Sequence, residues 1–165
     1  MRFIKNVLIS FTPIWKTKRK KRRKKKAVII FNTLLEDFEP DNPESVKIWL
    51  KNVIREEKKV EGDIIYVFTT DEHVYSINKD FLQHDTLTDI ITFGTSQDNK
   101  IISGEIYISI DRIKENAGKI NLPAQKELAR VMVHGVLHLI GYNDKTASEK
   151  NEMTAKEDYY LNLLP

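Results

Sequence analysis

The stretch from Pro123 to Gly141, PAQKELARVMVHGVLHLIG, sets the strongest limit on what this chain can fold into. Leu128, Val131, Met132, Val133, Val136, Leu137, Leu139 and Ile140 leave little polar surface on a helix of this length. A helix that is apolar nearly all round has to be buried, so the rest of the fold must pack around it. Pro123 is expected in its first turn, and Gly141 can end it in the left-handed conformation. The same helix carries two of the chain's four histidines, His134 and His138. At a spacing of i and i+4 their side chains stack on one face, and imidazoles in a buried helix need partners.

A metal ion is the economical partner. Imidazole is the commonest zinc ligand, and this spacing presents both rings to a single ion. The chain contains no cysteine, so any metal must be held by imidazole and oxygen ligands. Asp144 lies three residues beyond the Gly141 turn and can swing back as a third ligand. Two histidines and one aspartate leave a fourth tetrahedral position for water, which marks a catalytic rather than a closed structural site. Zinc would lower the pKa of that water toward ~7. Beyond the metal-bound water, the residues identify no catalytic group. Two buried histidines also occur as satisfied core residues; the apolar helix, the glycine stop and the acid beyond it favour a metal. Gly135 occupies the place of the glutamate base in the H-E-x-x-H pattern, which disfavours a zinc peptidase working by that route.

Upstream, AVIIFNTL reads as a strand starting near Ala27, and DIIYVFTT (Asp63–Thr70) as a second. Between them Pro43 starts a helix with Val46, Trp49, Leu50 and Val53 at helical spacing. DEHVYSINKDFL fits a helix with Asp71 as N-cap. TDIITFGT and GEIYISI read as strands flanking the polar turn SQDNK, and three helices close the chain. The expected fold is α+β, a mixed sheet of about four strands covered by helices, with the metal site on a central helix and the loop after it. Residues 27–165 are long enough for one well-packed domain and are read as a single metal-hydrolase domain.

Charge divides the chain sharply. Residues 1–26 hold twelve of the 27 Lys and Arg and no acid, leaving 15 bases against 24 acids in the remainder. The run KTKRKKRRKKK (Lys16–Lys26) cannot bury anything and is expected to be disordered when free. It reads either as an arm for RNA phosphates, acting by counterion release, or as a solubilising tail. No apolar run is long enough to span a bilayer. FIKNVLISFTPIW precedes its positive charge instead of following it, so no export signal is read. The lack of cysteine fits a reducing compartment.

HGVLHLIGYND (His134–Asp144) resembles the H-G-x-L-H-L-x-G-Y-D-H signature of the YbeY family of bacterial zinc endoribonucleases. TDIITF (Thr88–Phe93) is similar to that family's T-D-V-L-S-F segment, and SGEIYIS (Ser103–Ser109) to its G-D-I-x-I-S strand. The resemblance implies a zinc-dependent, single-strand-specific endoribonuclease of rRNA maturation and ribosome quality control. It implies one Zn2+ per chain, single-stranded RNA or rRNA and the ribosomal small subunit as partners, and a cytoplasmic location away from membranes. Carried over by position, the ligands are His134, His138 and Asp144. Asp144 stands where the family has a third histidine, which makes the site one charge more negative and favours harder ions. The family's arginine six residues before the T-D pair corresponds to Leu82, and His84, Arg112 and Lys145 are the candidate replacements. Asp85 and Asp89 are read as groups supporting the site or capping turns, with capping preferred for Asp89. Thr146 and Glu149 form a capping box that fixes the loop carrying Asp144, and Met153 is expected to pack beneath the site. Leu82 motivates one rival reading, a non-catalytic ribosome-assembly factor stabilised by its metal. A zinc peptidase is the weaker rival.

Overall fold

The structure is a computed structural model that describes residues 27–83 and 85–165. The basic stretch 1–26 and His84 lie outside the described residues. Among the described residues nine elements follow in order: β1 (Ile29–Thr33), α1 (Pro43–Glu56), β2 (Val60–Thr69), α2 (Asp71–Leu82), β3 (Ile90–Gly94), β4 (Ile101–Ser109), α3 (Ile110–Lys119), α4 (Ala124–Ile140) and α5 (Ala147–Leu161). The strands form one sheet in the order β1-β2-β4-β3. β1 and β4 both run parallel to β2, while β3 pairs antiparallel with β4 and forms an edge. The mixed α+β sheet read from the sequence is present.

Period-two alternation decides which face of the sheet is covered by what. Ile64, Tyr66 and Phe68 of β2 share a face with Ile106 and Ile108 of β4, and all five are fully buried. α4 packs on this face, with the Tyr66 hydroxyl donating to the Met132 carbonyl at 2.9 Å. Contact is close because of Gly135. A Cβ there would lie 2.9 Å from Ile90 Cδ1 and 3.0 Å from Ile106 Cγ2, so a larger residue would force those side chains or the helix to shift. The residue missing from the peptidase pattern is therefore missing for a packing reason: its position faces the sheet.

α1 supplies Trp49, Leu50, Val53 and Ile54 to the same core, and the Trp49 indole donates to the Tyr160 carbonyl of α5 at 2.9 Å. Met153 is part of the core, at 2% exposure. α2 lies against the other side of β3 and β4, where His73 meets Tyr107 and Phe81 meets Phe93.

Several boundaries differ from the sequence reading. Thr70, not Asp71, caps α2, its hydroxyl accepting from the His73 amide; Asp71 is freed to pair with Arg112. Pro123 sits at the N-cap of α4, one position before the first turn. Ile110 is the first residue of α3 and not the last of a strand, because the Ser109 side chain caps there. β2 starts at Val60, since its ladder with β4 continues past a bulge between Glu61 and Ile64. Among the described residues no helix is long and apolar enough to cross a membrane.

Candidate metal centre

α4 carries the two histidines, and the loop after it carries the third candidate ligand, Asp144. Gly141, at φ 117°, stops the helix in the left-handed region, which glycine enters without Cβ strain. The Gly141 and Tyr142 amides return to the Leu137 carbonyl, so the chain folds back over the helix end. The expected capping box then fixes the far side of the loop: Thr146 accepts from the Glu149 amide, and Glu149 accepts from the Thr146 amide at 2.7 Å. Asp144 is held between these two stops.

The outcome is a compact donor set. His134 and His138 stack edge to face with ring centroids 4.3 Å apart. Asp144 Oδ2 lies 3.8 Å from the Nε2 atoms of both. One donor atom from each of the three residues falls within 4.8 Å of the others. Tetrahedral donors at ~2.0–2.1 Å from zinc stand about 3.4 Å apart, so a small contraction would close this set on an ion. Two neutral imidazoles and one carboxylate suit zinc chemically.

Both rings are oriented for that role. His138 Nδ1 is 2.9 Å from the Tyr142 carbonyl, which can only accept, so this nitrogen carries the proton and Nε2 is left with a lone pair. His134 Nδ1 is 2.6 Å from Glu157 Oε1, which assigns the same tautomer. Burial and the neighbouring His134 hold the His138 pKa below the usual imidazole value, favouring the neutral, ligating form.

Behind His134 lies a network that the sequence reading missed. Glu157, 5% exposed, bonds His134 with one oxygen and Arg130 Nη1 with the other at 3.1 Å. Arg130 also forks onto Glu127, donating from Nε at 2.8 Å and Nη2 at 2.6 Å, and stands 3.7 Å from Asp89. Burial pushes the Glu157 carboxyl up, but the His134 hydrogen bond and the Arg130 charge outweigh it and hold it ionised. Glu157 falls in the buried row Met153, Glu157, Tyr160 of α5, and an acid in an apolar row was the signal available. A second network steadies the loop from the opposite side. Glu57 accepts from the Tyr142 hydroxyl at 2.9 Å, the Tyr160 hydroxyl at 2.5 Å and Lys156 at 2.7 Å.

The three candidate ligands open into a cleft of about 690 Å³. Its lining includes Asn78, Thr88, Asp89, Thr92 and Lys145. Asp89 does not cap a turn; its carbonyl accepts from the Ser109 amide in the ladder, and its carboxylate faces Arg130. Asp85 accepts from the Tyr75 hydroxyl. Arg112 does not line the cleft and is committed to Asp71 at 2.5 Å and Glu115 at 2.6 Å. Leu82 closes α2.

Fold and site together define an α+β domain in which a buried helix presents a three-ligand candidate metal centre to an open cleft. A family profile described as "Endoribonuclease YbeY" matches residues 33–165. The chain belongs to the YbeY endoribonuclease family. An endoribonuclease YbeY of Amoebophilus asiaticus is 45% identical over 124 residues, covering 75% of this chain and 84% of its own. That of Flavobacterium psychrophilum is 46% identical over 127 residues, covering 77% and 90%. A Thermotoga maritima protein solved in solution superposes with a TM-score of 0.58 at 26% identity, covering 83% of this chain and 89% of its own.

Proposed function

We propose that this protein is a zinc-dependent endoribonuclease cutting single-stranded RNA, acting in rRNA maturation and ribosome quality control with the small subunit as its working partner. Residues 27–165 form its single metal-hydrolase domain, it works in the cytoplasm, and residues 1–26 serve as a basic arm. The observation that carries the reading is the orientation of the two histidines. Each Nδ1 is held by an acceptor, and both Nε2 atoms stand 3.8 Å from the same Asp144 oxygen.

His134, His138 and Asp144 would hold one Zn2+. Zinc bound there supplies Lewis acidity toward phosphate oxygen and a hydroxide source at neutral pH. The protein's share is orientation. Glu157 keeps the His134 proton on Nδ1, and the Tyr142 carbonyl does the same for His138. Side chains on one rigid helix hold two ligands, while the loop between Gly141 and Thr146 holds the third. Asp144, the most exposed of the three at 44%, faces the solvent from which substrate arrives. Relatives that carry the endoribonuclease name match over most of their length and support RNA as the substrate.

The test is cleavage of a labelled single-stranded RNA by chelator-stripped protein before and after one equivalent of zinc, with Asp144→Ala and His138→Ala in parallel. Cleavage restored by zinc and absent from both variants is expected. Zinc bound at one per chain without cleavage would overturn the nuclease and leave the metal-stabilised assembly factor. Cleavage of an unstructured peptide but not RNA would move the site to the peptidases.

A further inference from the structure

We infer that Lys145 is the residue that grips the substrate phosphate in the metal cleft. The inference rests on the endoribonuclease reading above. Each nucleotide of a single strand brings one negative charge, and the cleft meets it with carboxylates at Asp89 and Asp144. A zinc ion on the three ligands and Arg130 beside Asp89 offset those charges, and a mobile cation at the rim of the cleft adds a direct contact to the phosphate.

The cations near the site can be sorted by what already holds them. Arg130 spends its fork on Glu127 and Glu157, and its remaining approach is to Asp89. Arg112 is bound by Asp71 and Glu115. Lys145 differs from both. It lines the cleft with the three ligands and is exposed, and where the two arginines are each bound by carboxylates at hydrogen-bonding distance, Lys145 has among the described residues only the longer-range attraction of Glu149. Its backbone is nevertheless well placed, directly after Asp144 and directly before the capping box that starts α5. A flexible four-carbon stem on a fixed backbone lets the ammonium follow a phosphate while staying within reach of the ligands.

The experiment measures binding of the full-length, zinc-loaded protein to a labelled 2′-O-methyl oligoribonucleotide, which resists cleavage, across a salt series. Lys145→Ala and Lys145→Arg are compared with the unchanged chain, so the contribution of residues 1–26 is common to all three. Loss of one phosphate contact to a single strand lowers the slope of log affinity against log salt by about 0.7. Lys145→Ala is expected to show that drop and weaker binding, Lys145→Arg to retain the slope, and all three to carry equal zinc. An unchanged slope in Lys145→Ala would overturn the assignment, as would loss of zinc in that variant, which would place its effect on Asp144. Cleavage by the unchanged chain with no slope change removes Lys145 alone. Neither binding nor cleavage by the unchanged chain removes both the assignment and the endoribonuclease reading.

Discussion

Glu157→Gln separates the metal-orienting role of the buried network from its part in the core. The amide keeps the shape of the carboxylate and can still accept from His134 Nδ1 with its carbonyl oxygen. It loses the negative charge that both His134 and Arg130 now contact, at 2.6 Å and 3.1 Å. A hydrogen bond to a charged partner contributes about 1.5–3 kcal/mol against about 0.5–1.5 kcal/mol for a neutral one, so the loss at His134 is about 1–1.5 kcal/mol. Zinc binding is expected to weaken roughly tenfold, the lower end of the roughly 10–100-fold range for partners of metal-ligating histidines, because the bond to a zinc-polarised imidazole is the one that gains most from the charge. Glu157→Ala should lose more. Arg130 would keep Glu127 but face an emptied site, and the His134 donor would be left unpaired at a cost of about 1–3 kcal/mol. The assay is a zinc competition titration against a chromophoric chelator, run beside thermal unfolding of the metal-free proteins. If Glu157→Gln binds zinc within twofold of the parent while its metal-free Tm falls, Glu157 serves packing only and the orienting argument fails.

Three further outcomes follow from the geometry. Asp144→Ala should reduce zinc binding sharply while changing metal-free stability by no more than ~0.5 kcal/mol, because its side chain is 44% exposed; denaturant unfolding and metal analysis together check this. Gly135→Ala should destabilise by about 1–3 kcal/mol in urea unfolding despite a helix propensity gain near ~1 kcal/mol, since the new Cβ meets Ile90 and Ile106 at 2.9–3.0 Å; a rise in stability would show that the sheet yields. Burial raises the Glu57 carboxyl, but Lys156, Tyr160 and Tyr142 outweigh it and hold its pKa below the ordinary 4.5. Its folded pKa is the lower one, so its stabilisation is complete above pH 4.5 and is lost as pH falls through the folded value. Glu57→Gln should therefore flatten the acid limb of the Tm profile below pH 4.5, and an unaltered limb would refute the pairing.

What the sequence determined by itself is the local part of this protein. The apolar run around His134 and His138 demanded burial, the i,i+4 spacing placed both rings on one face, and Gly141 ended the helix within three residues of Asp144. Thr146 and Glu149 announced the next helix. Each of these depends on interactions spanning a turn or two, which periodicity and capping chemistry encode directly. Strand identity was legible for the same reason, but the order β1-β2-β4-β3 was not, because pairing partners are chosen by competition among whole faces. Tertiary structure alone decided what holds the ligands. Glu157 reaches His134 across 23 positions, and Glu57 reaches the Tyr142 hydroxyl across 85. In the sequence Glu57 looks like an ordinary acid at the end of a charged helix, and Glu157 stands out only by its place in an apolar row. Only when α1, α4 and α5 close on one core do they lose water, and a carboxylate without water has to find a hydrogen-bond donor, which here is the imidazole or tyrosine of the candidate site.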